Sequence, residues 1–216
     1  MNRSSPINVS VFDENAKEYD AWFDEHPSVF ESELAAVREL IPSGGSGIEI
    51  GAGTGRFAQS LGIKTGVEPA PEMAAIARSR GITIERAFAE ELPFKSEEFD
   101  FALLVTVLCF VNDPIRVLSE IRRVLKPGGL LLIGFIDRES RTGRQVLTSG
   151  SKYYRNAFLY SARDILEMVT RAGFQWKEAR QTLFHDPKTM TAPESPKPGF
   201  GTGDFVVFSA RKPFNP

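Results

Sequence analysis

The chain predicts an α/β domain: a doubly wound, seven-stranded, mostly parallel sheet with helices on both faces. Two observations carry that prediction. From residue 46 onward, short apolar runs alternate with amphipathic segments, the pattern of strands that return through helices. The first run, Gly47-Ile48-Glu49-Ile50, empties into a turn with glycine at 51, 53 and 55, and a helix then begins at Arg56-Phe57-Ala58.

In chain order, Phe12, Ala16, Tyr19 and Phe23 recur at helical spacing with Trp22 beside them, and His26-Pro27 breaks that helix. Ser28 with Glu31 forms a capping box for a second helix to about Leu40. Pro42-Ser43-Gly44-Gly45-Ser46 ends it. Helix Arg56 to Leu61 then leads to strand Lys64 to Val67, and helix Pro71 to Arg80 leads to strand Thr83 to Arg86. The next strand is Phe101 to Val107. Asp113-Pro114 caps and starts a helix to Leu125, with proline at the first helical position, and strand Leu130 to Ile136 follows. Ser161 with Asp164 opens another helix that Gly173 stops. Phe174 to Leu183 and Asp204 to Arg211 close the chain as two strands with no helix between them, so they are free to pair antiparallel. Met190 to Gly203, rich in Pro, Gly, Thr and Ser, is a long loop.

Composition narrows the function classes. At 216 residues, with 42% hydrophobic and 25% charged, the chain fits one folded domain. The 26 basic and 28 acidic residues include no Lys/Arg block, so no nucleic-acid partner is expected. No apolar run reaches the length of a membrane span. The polar start, Asn2, Arg3, Ser4 and Ser5, lacks the apolar stretch of a secretion signal. A cytoplasmic enzyme is expected. A single cysteine, Cys109, excludes an internal disulfide and a multi-thiol metal centre, and no metal is expected.

The glycine spacing excludes two phosphate-binding loops. The dinucleotide fingerprint needs a third glycine where this chain has Arg56. A P-loop needs a Lys-Ser/Thr pair that does not follow Gly55. Downstream come Gly66-Val67-Glu68-Pro69 at a strand end, then Ala89-Glu90-Glu91-Leu92-Pro93-Phe94 ahead of Glu98-Phe99-Asp100-Phe101, then Leu125-Lys126-Pro127-Gly128-Gly129. Together with Glu49-Ile50-Gly51-Ala52-Gly53-Thr54-Gly55 these resemble, in order and spacing from about Ile48 to Ile136, the landmarks of the class I (Rossmann-like) S-adenosylmethionine-dependent methyltransferases, of the small-molecule type.

That resemblance implies strand order 3-2-1-4-5-7-6 with the last strand antiparallel. It divides residues 1–216, as a single domain, into an N-terminal helical lid (1–45), a cofactor-binding core (46–136) and a C-terminal part with substrate-side insertions (137–216). The implied cofactor is S-adenosylmethionine, leaving S-adenosylhomocysteine as product. The implied cofactor residues are Glu49, Gly51, Ala52, Gly53, Gly55, Glu68, Pro69, Ala89, Glu90 and Thr106. Gly51, Gly53 and Gly55 would meet the ribose and methionine portion. Glu68 would accept hydrogen bonds from the ribose diol, and Glu49 would orient the turn by accepting backbone N–H bonds. The chain departs from its relatives in two places. Phe88 stands where an aspartate usually receives the adenine amino group, leaving the Ala89 backbone or Glu90 to serve. Leu108-Cys109-Phe110 replaces a common Leu-His-His, so that source of a base is missing.

Methyl transfer from a sulfonium needs chiefly position and a dry pocket, and a base only if the acceptor arrives protonated. His26 and His185, the two imidazoles, and Tyr19 are the weak candidates for a catalytic role; each histidine reads more readily as a surface or capping residue, and Tyr19 equally as core. Tyr19, Trp22 and Phe23 form either a lid or core. The acceptor pocket is expected from the N-terminal helix, Asp137 to Tyr160 and Phe184 to Gly203. Tyr153, Tyr154, Phe158, Phe184 and Phe200 suit a partly apolar small molecule, and Arg138 and Arg141 an anionic group. Two other readings stay open: a cofactor-binding protein without turnover, and a nicotinamide-dependent oxidoreductase, which the glycine spacing disfavours.

Overall fold

The computed structural model describes residues 9–214; the polar start at Asn2–Ser5 lies outside the described residues. The chain runs α1 (Val9–Glu14), α2 (Ala16–Glu25), α3 (Pro27–Arg38), β1 (Gly47–Ile50), α4 (Arg56–Leu61), β2 (Thr65–Val67), α5 (Pro71–Ser79), β3 (Thr83–Glu85) and β4 (Phe99–Val105). It continues through α6 (Pro114–Val124), β5 (Leu125–Ile136), α7 (Arg141–Thr148), α8 (Ala162–Arg171), β6 (Gln175–Thr182), β7 (Lys197–Pro198) and β8 (Phe205–Arg211). The sheet order is β3-β2-β1-β4-β5-β8-β6-β7. β1 to β5 pair parallel, and β8 runs antiparallel between β5 and β6.

The central strands are apolar on both faces because each face carries a helical layer. Ala102, Leu104, Leu131, Ile133, Val206 and Phe208 pack with Val117, Leu118 and Ile121 of α6 and Ile165 and Val169 of α8. Their alternate neighbours, among them Leu103, Leu132, Phe205 and Val207, meet Val29 and Val37 of α3, Phe57 of α4 and Ala74 and Ala77 of α5. Strand order reverses between β1 and β4, so a crevice opens beyond their carboxyl ends, the usual place for a ligand in such sheets.

The sheet has eight strands rather than seven. Lys197 and Pro198, inside the expected long loop, pair with Gln181 and Arg180 at the β6 edge. A proline is tolerated there because an edge strand leaves some N–H positions unused. β4 ends at Val105 rather than Val107, because Thr106 takes φ 54° and turns the chain out of the sheet. β5 starts at Leu125, which already pairs with Phe99, so the Pro127-Gly128-Gly129 turn is an irregularity within the ladder. The expected Ser28–Glu31 capping box is absent: Pro27 takes the first helical position, Ser28 falls inside the first turn, and its carbonyl accepts from Ser32 Oγ (2.6 Å). The Asp113 cap and the Ser161–Asp164 capping box do form.

Candidate active site

The crevice holds an open cleft, at the place where ligands bind in such sheets. Its floor is Gly51, Gly53, Val67, Glu68, Pro69 and Ala70, one side is Ala87, Phe88, Ala89 and Glu90, and the far side is Val105, Thr106, Val107 and Phe110. Val9, Phe12 and Tyr19 of the N-terminal helices close it.

The glycine turn divides its work. Gly53 (φ 54°) has open space where a Cβ would sit, with Tyr19 Cε1 as its nearest neighbour at 3.9 Å, so bare backbone faces the cleft. Gly55 does something else: a Cβ there would stand 2.5 Å from Ile82 Cδ1 and 3.1 Å from the Ala77 Cβ, so it lets α5 pack close. Ala52 donates its N–H to the Val67 carbonyl (2.9 Å), tying the turn to β2. Neither residue lines the cleft. Nor does Glu49, whose position between Ile48 and Ile50 points it to the opposite face of β1. There its carboxylate accepts from the Ala58 N–H (2.9 Å) in the first turn of α4. Burial outweighs that bond and pushes Glu49 up to about 8.

Glu68 ends β2 with both oxygens engaged by backbone: Oε2 accepts from Gly53 N–H and Oε1 from Ala70 N–H, each at 2.9 Å. It is 7% exposed, and burial raises its pKa despite these two bonds. A carboxylate keeps further acceptor positions when each oxygen holds one donor. Glu90 is the second acceptor on the wall. Oε1 takes the Asn112 N–H (2.9 Å), while Oε2 is buried with no partner among the described residues. Such an orphan is costly unless a ligand donor meets it. Phe88, beside it, is 52% exposed, a ring free to receive a flat partner.

Thr106, a β-branched residue at positive φ, sits where two spaces meet. Strain of this kind persists where the surroundings over-determine it. Here the N–H donates to the Gly134 carbonyl (2.8 Å) and the carbonyl accepts from Cys109 Sγ (3.3 Å). The second space is a narrow gap lined by Thr106, Leu108, Cys109, Tyr154 and Tyr160 among others. Phe12, Tyr19, Phe110, Tyr153 and Tyr154 form one aromatic cluster over this region, with ring centroids 5.0–5.9 Å apart.

The N-terminal helices are fastened over the cleft by charge. Arg56, standing where a dinucleotide turn would have glycine, bonds Asp20 (Nε, 2.9 Å) and Asp24 (Nη2, 2.7 Å), and Arg80 bonds Asp20 at 2.8 Å. Burial would raise Asp20, but the Arg56 and Arg80 hydrogen bonds overcome it and hold the carboxyl at about 2. Lys152 reaches Asn15 and Glu18, both at 2.7 Å.

Of the catalytic candidates, Tyr19 alone lines the cleft. Burial raises its hydroxyl above the usual phenol range, with Glu33 the next contributor. His26 stacks on Trp22 (4.6 Å) and shares Nδ1 with the Trp22 carbonyl (3.0 Å); His185 is 83% exposed and bonded to Glu194 (2.6 Å). Phe23 packs against Phe30 and Phe57 rather than the cleft. Arg138 and Arg141 line a separate outer groove with Phe184, paired to Asp164 and Asp204. Phe158 and Phe200 lie against Tyr160 and Phe208. Sequence reasoning missed Glu33. Its signal was legible: an acid at the middle of the helical apolar repeat Val29–Glu33–Val37. No group of three metal-ligating side chains occurs among the described residues, and no described helix is long and apolar enough to cross a membrane.

A family profile described as a methyltransferase domain matches residues 48–133. An uncharacterised protein of Methanocaldococcus jannaschii is 46% identical over 206 residues, 94% of this chain and 100% of its own length. An uncharacterised protein of Mycobacterium tuberculosis is 36% identical over 80% of this chain, which spans 63% of that longer relative. A crystal structure from Thermotoga maritima superposes with TM-score 0.92 at 46% identity, covering 94% of this chain and 99% of the other; that protein is described as an S-adenosylmethionine-dependent methyltransferase, possible histamine N-methyltransferase.

Proposed function

The chain belongs to the S-adenosylmethionine-dependent methyltransferases, and from that premise we propose that it methylates a small-molecule acceptor that reaches the cleft beside Thr106, under Phe12, Tyr19 and Phe110. The observation that carries this reading is the conjunction of a bare glycine floor, a buried Glu68 and an orphaned Glu90 oxygen around one cleft. Those residues fit the cofactor by their donors and acceptors. Glu68, oriented by two backbone N–H groups, accepts the ribose hydroxyls with its remaining lone pairs. Glu90 Oε2 accepts the adenine amino group, the work an aspartate at position 88 would do, and the exposed Phe88 ring covers the base. Gly51 and Gly53 admit the methionine portion to the backbone.

When bound, the cofactor supplies an activated methyl group that passes to a nucleophile in line with the carbon–sulfur bond, the electrons of that bond remaining on sulfur. The protein's part is position and exclusion of water. Thr106 fixes the far wall of the cleft, and Phe12, Tyr19 and Phe110 roof it. Neither histidine lines the cleft, so no imidazole base enters this account. The Thermotoga relative's description supports an amine-bearing acceptor. A binding-only role, motivated by the replaced aspartate and the absent histidine, is not favoured: Glu90 offers an acceptor for the adenine, and transfer to an uncharged nucleophile needs no imidazole. The test is transfer of labelled methyl from S-adenosylmethionine to a panel of small amines, phenols and carboxylic acids. A methylated amine is the expected product; binding of cofactor with no product from any member would contradict the reading.

A further inference from the structure

Three described residues other than glycine hold left-handed backbone: Glu97 (φ 60°), Thr106 (φ 54°) and Leu183 (φ 60°). Glu97 is exposed and Leu183 is buried just after β6; neither lines the cleft. Thr106 does, and it is the β-branched one of the three, for which this backbone is least tolerated. Glycine would take the same conformation without strain, as Gly51 and Gly53 do on the floor of this cleft. The turn itself needs no side chain at 106. Its bonds join the Thr106 N–H to the Gly134 carbonyl (2.8 Å) and Cys109 Sγ to the Thr106 carbonyl (3.3 Å), and both use backbone atoms of Thr106. What threonine adds over glycine is a methyl group and a hydroxyl.

That hydroxyl is unused by the protein. It makes no hydrogen bond among the described residues and is not enclosed, so it is open to a ligand in the cleft that Thr106 lines. The polar side chains around that cleft are Tyr19, Glu68, Glu90 and Thr106, with no lysine, arginine or histidine among its lining residues. Under the proposed function Glu68 and Glu90 face the ribose and the adenine. Thr106 is left on the far wall, under the rings of Phe12, Tyr19 and Phe110. Such a cleft offers no cation to an anionic acceptor and no imidazole to remove a proton, so the acceptor must arrive with its lone pair free. The rings suit a nitrogen that gains positive charge as it is methylated.

We propose that threonine is retained at this strained position for its hydroxyl, which accepts a hydrogen bond from the N–H of an uncharged amine acceptor and so turns that nitrogen's lone pair toward the methyl group. The proposal rests on the methyl-transfer reading and names the residue that positions its nucleophile. The lone pair forms the new nitrogen–carbon bond, and the electrons of the old carbon–sulfur bond stay on sulfur. The product leaves as an ammonium and gives its extra proton to water, so no side chain has to act as a base.

The test compares the wild type with Thr106→Gly, Thr106→Val and Thr106→Ser. Tm is measured without ligand, S-adenosylmethionine affinity by calorimetry, and methyl transfer with aniline, N-methylaniline and N,N-dimethylaniline, which are all uncharged at neutral pH and carry two, one and no N–H. Thr106→Gly should raise Tm by about 2–4 °C, because the strain is relieved, while turnover falls. Thr106→Val keeps the shape and loses the hydroxyl, and should lower kcat by about 10- to 100-fold with cofactor affinity unchanged. Thr106→Ser should recover most of that turnover. The wild type should methylate the two amines with an N–H in strong preference to N,N-dimethylaniline. Several results would overturn the proposal: a Thr106→Gly chain no more stable than the wild type, a Thr106→Val enzyme with undiminished turnover, or equal use of N,N-dimethylaniline. A loss of S-adenosylmethionine affinity that matches the loss of turnover would also overturn it, by placing the hydroxyl against the cofactor. A wild type that binds no S-adenosylmethionine, or transfers methyl to no acceptor of any class, is a different result, since it removes the methyl-transfer reading and this proposal with it.

Discussion

On its sheet side the cleft is bounded largely by backbone: the Gly51–Gly53 turn, the N–H groups that orient Glu68, and the 87–90 segment. On its helical side it is bounded by side chains brought from far apart in sequence: Phe12 and Tyr19 from the first helices and Phe110 from the turn after β4, in ring contact with Tyr153 and Tyr154 from the segment after α7. A backbone wall demands particular residues at particular spacings, because few residue types allow positive φ or bare amides. A side-chain wall demands only that aromatic groups converge. The first therefore suits a fixed cofactor, and under the proposed function the second is the wall that varies with the acceptor.

Three changes break or sharpen that contrast. The largest effect is expected on the backbone wall. Glu68→Ala leaves the Gly53 and Ala70 N–H groups unpartnered as well as losing the proposed ribose contact, and should weaken S-adenosylmethionine binding by about 1–3 kcal/mol. Calorimetric titration reads it directly, and unchanged affinity would place the ribose elsewhere.

A smaller effect is expected where the two walls are joined. Asp20→Ala frees Arg56 and Arg80 from α2 and should cost about 1–2 kcal/mol of stability, with a several-fold loss of cofactor affinity as Tyr19 loosens. Thermal unfolding with and without cofactor separates the two terms. Loss of stability with full affinity would mean the helices pack there without serving as a lid.

The smallest effect is in the pH dependence of the apo protein. Glu33 and Glu49 are raised from 4.5 to about 8 by burial. Between those values the unfolded chain ionises these groups while the folded one keeps their protons. Their stabilising contribution is complete below about 4.5 and is lost as pH rises toward 8. Asp20, held at about 2, works the other way and loses its contribution only in strong acid. Stability should therefore decline from about pH 5 to 8. Glu33→Gln should flatten that decline without removing it, because Glu49 and Glu68 remain. An unaltered slope would show that Glu33 is ionised in the folded chain.

The same contrast governs what could be read in advance. Alternation of strands and helices, the glycine turn, the acid at 68 and the Asp113 and Ser161 caps are local patterns, and each forms as its residues imply. The Ser28 capping box was a local pattern overruled by the fixed geometry of Pro27 one place earlier. The strand at Lys197–Pro198 carries no hydrophobic alternation and exists because the edge of β6 is there to pair with. Within the turn, Gly55 and Gly53 look alike in sequence, yet one serves helix packing and the other faces the cleft. Arg56 marked only a missing glycine until Asp20 and Asp24 were seen beside it. Thr106 gave no sign of its left-handed backbone, since nothing in a threonine announces it.

The measurement that bears most directly on this account is calorimetric titration of the purified chain with S-adenosylmethionine and S-adenosylhomocysteine, with NAD as control. Saturable binding of both sulfur compounds at one per chain, with no heat from NAD, is the result the cleft predicts. Absence of S-adenosylmethionine binding, or binding of NAD in its place, would contradict it.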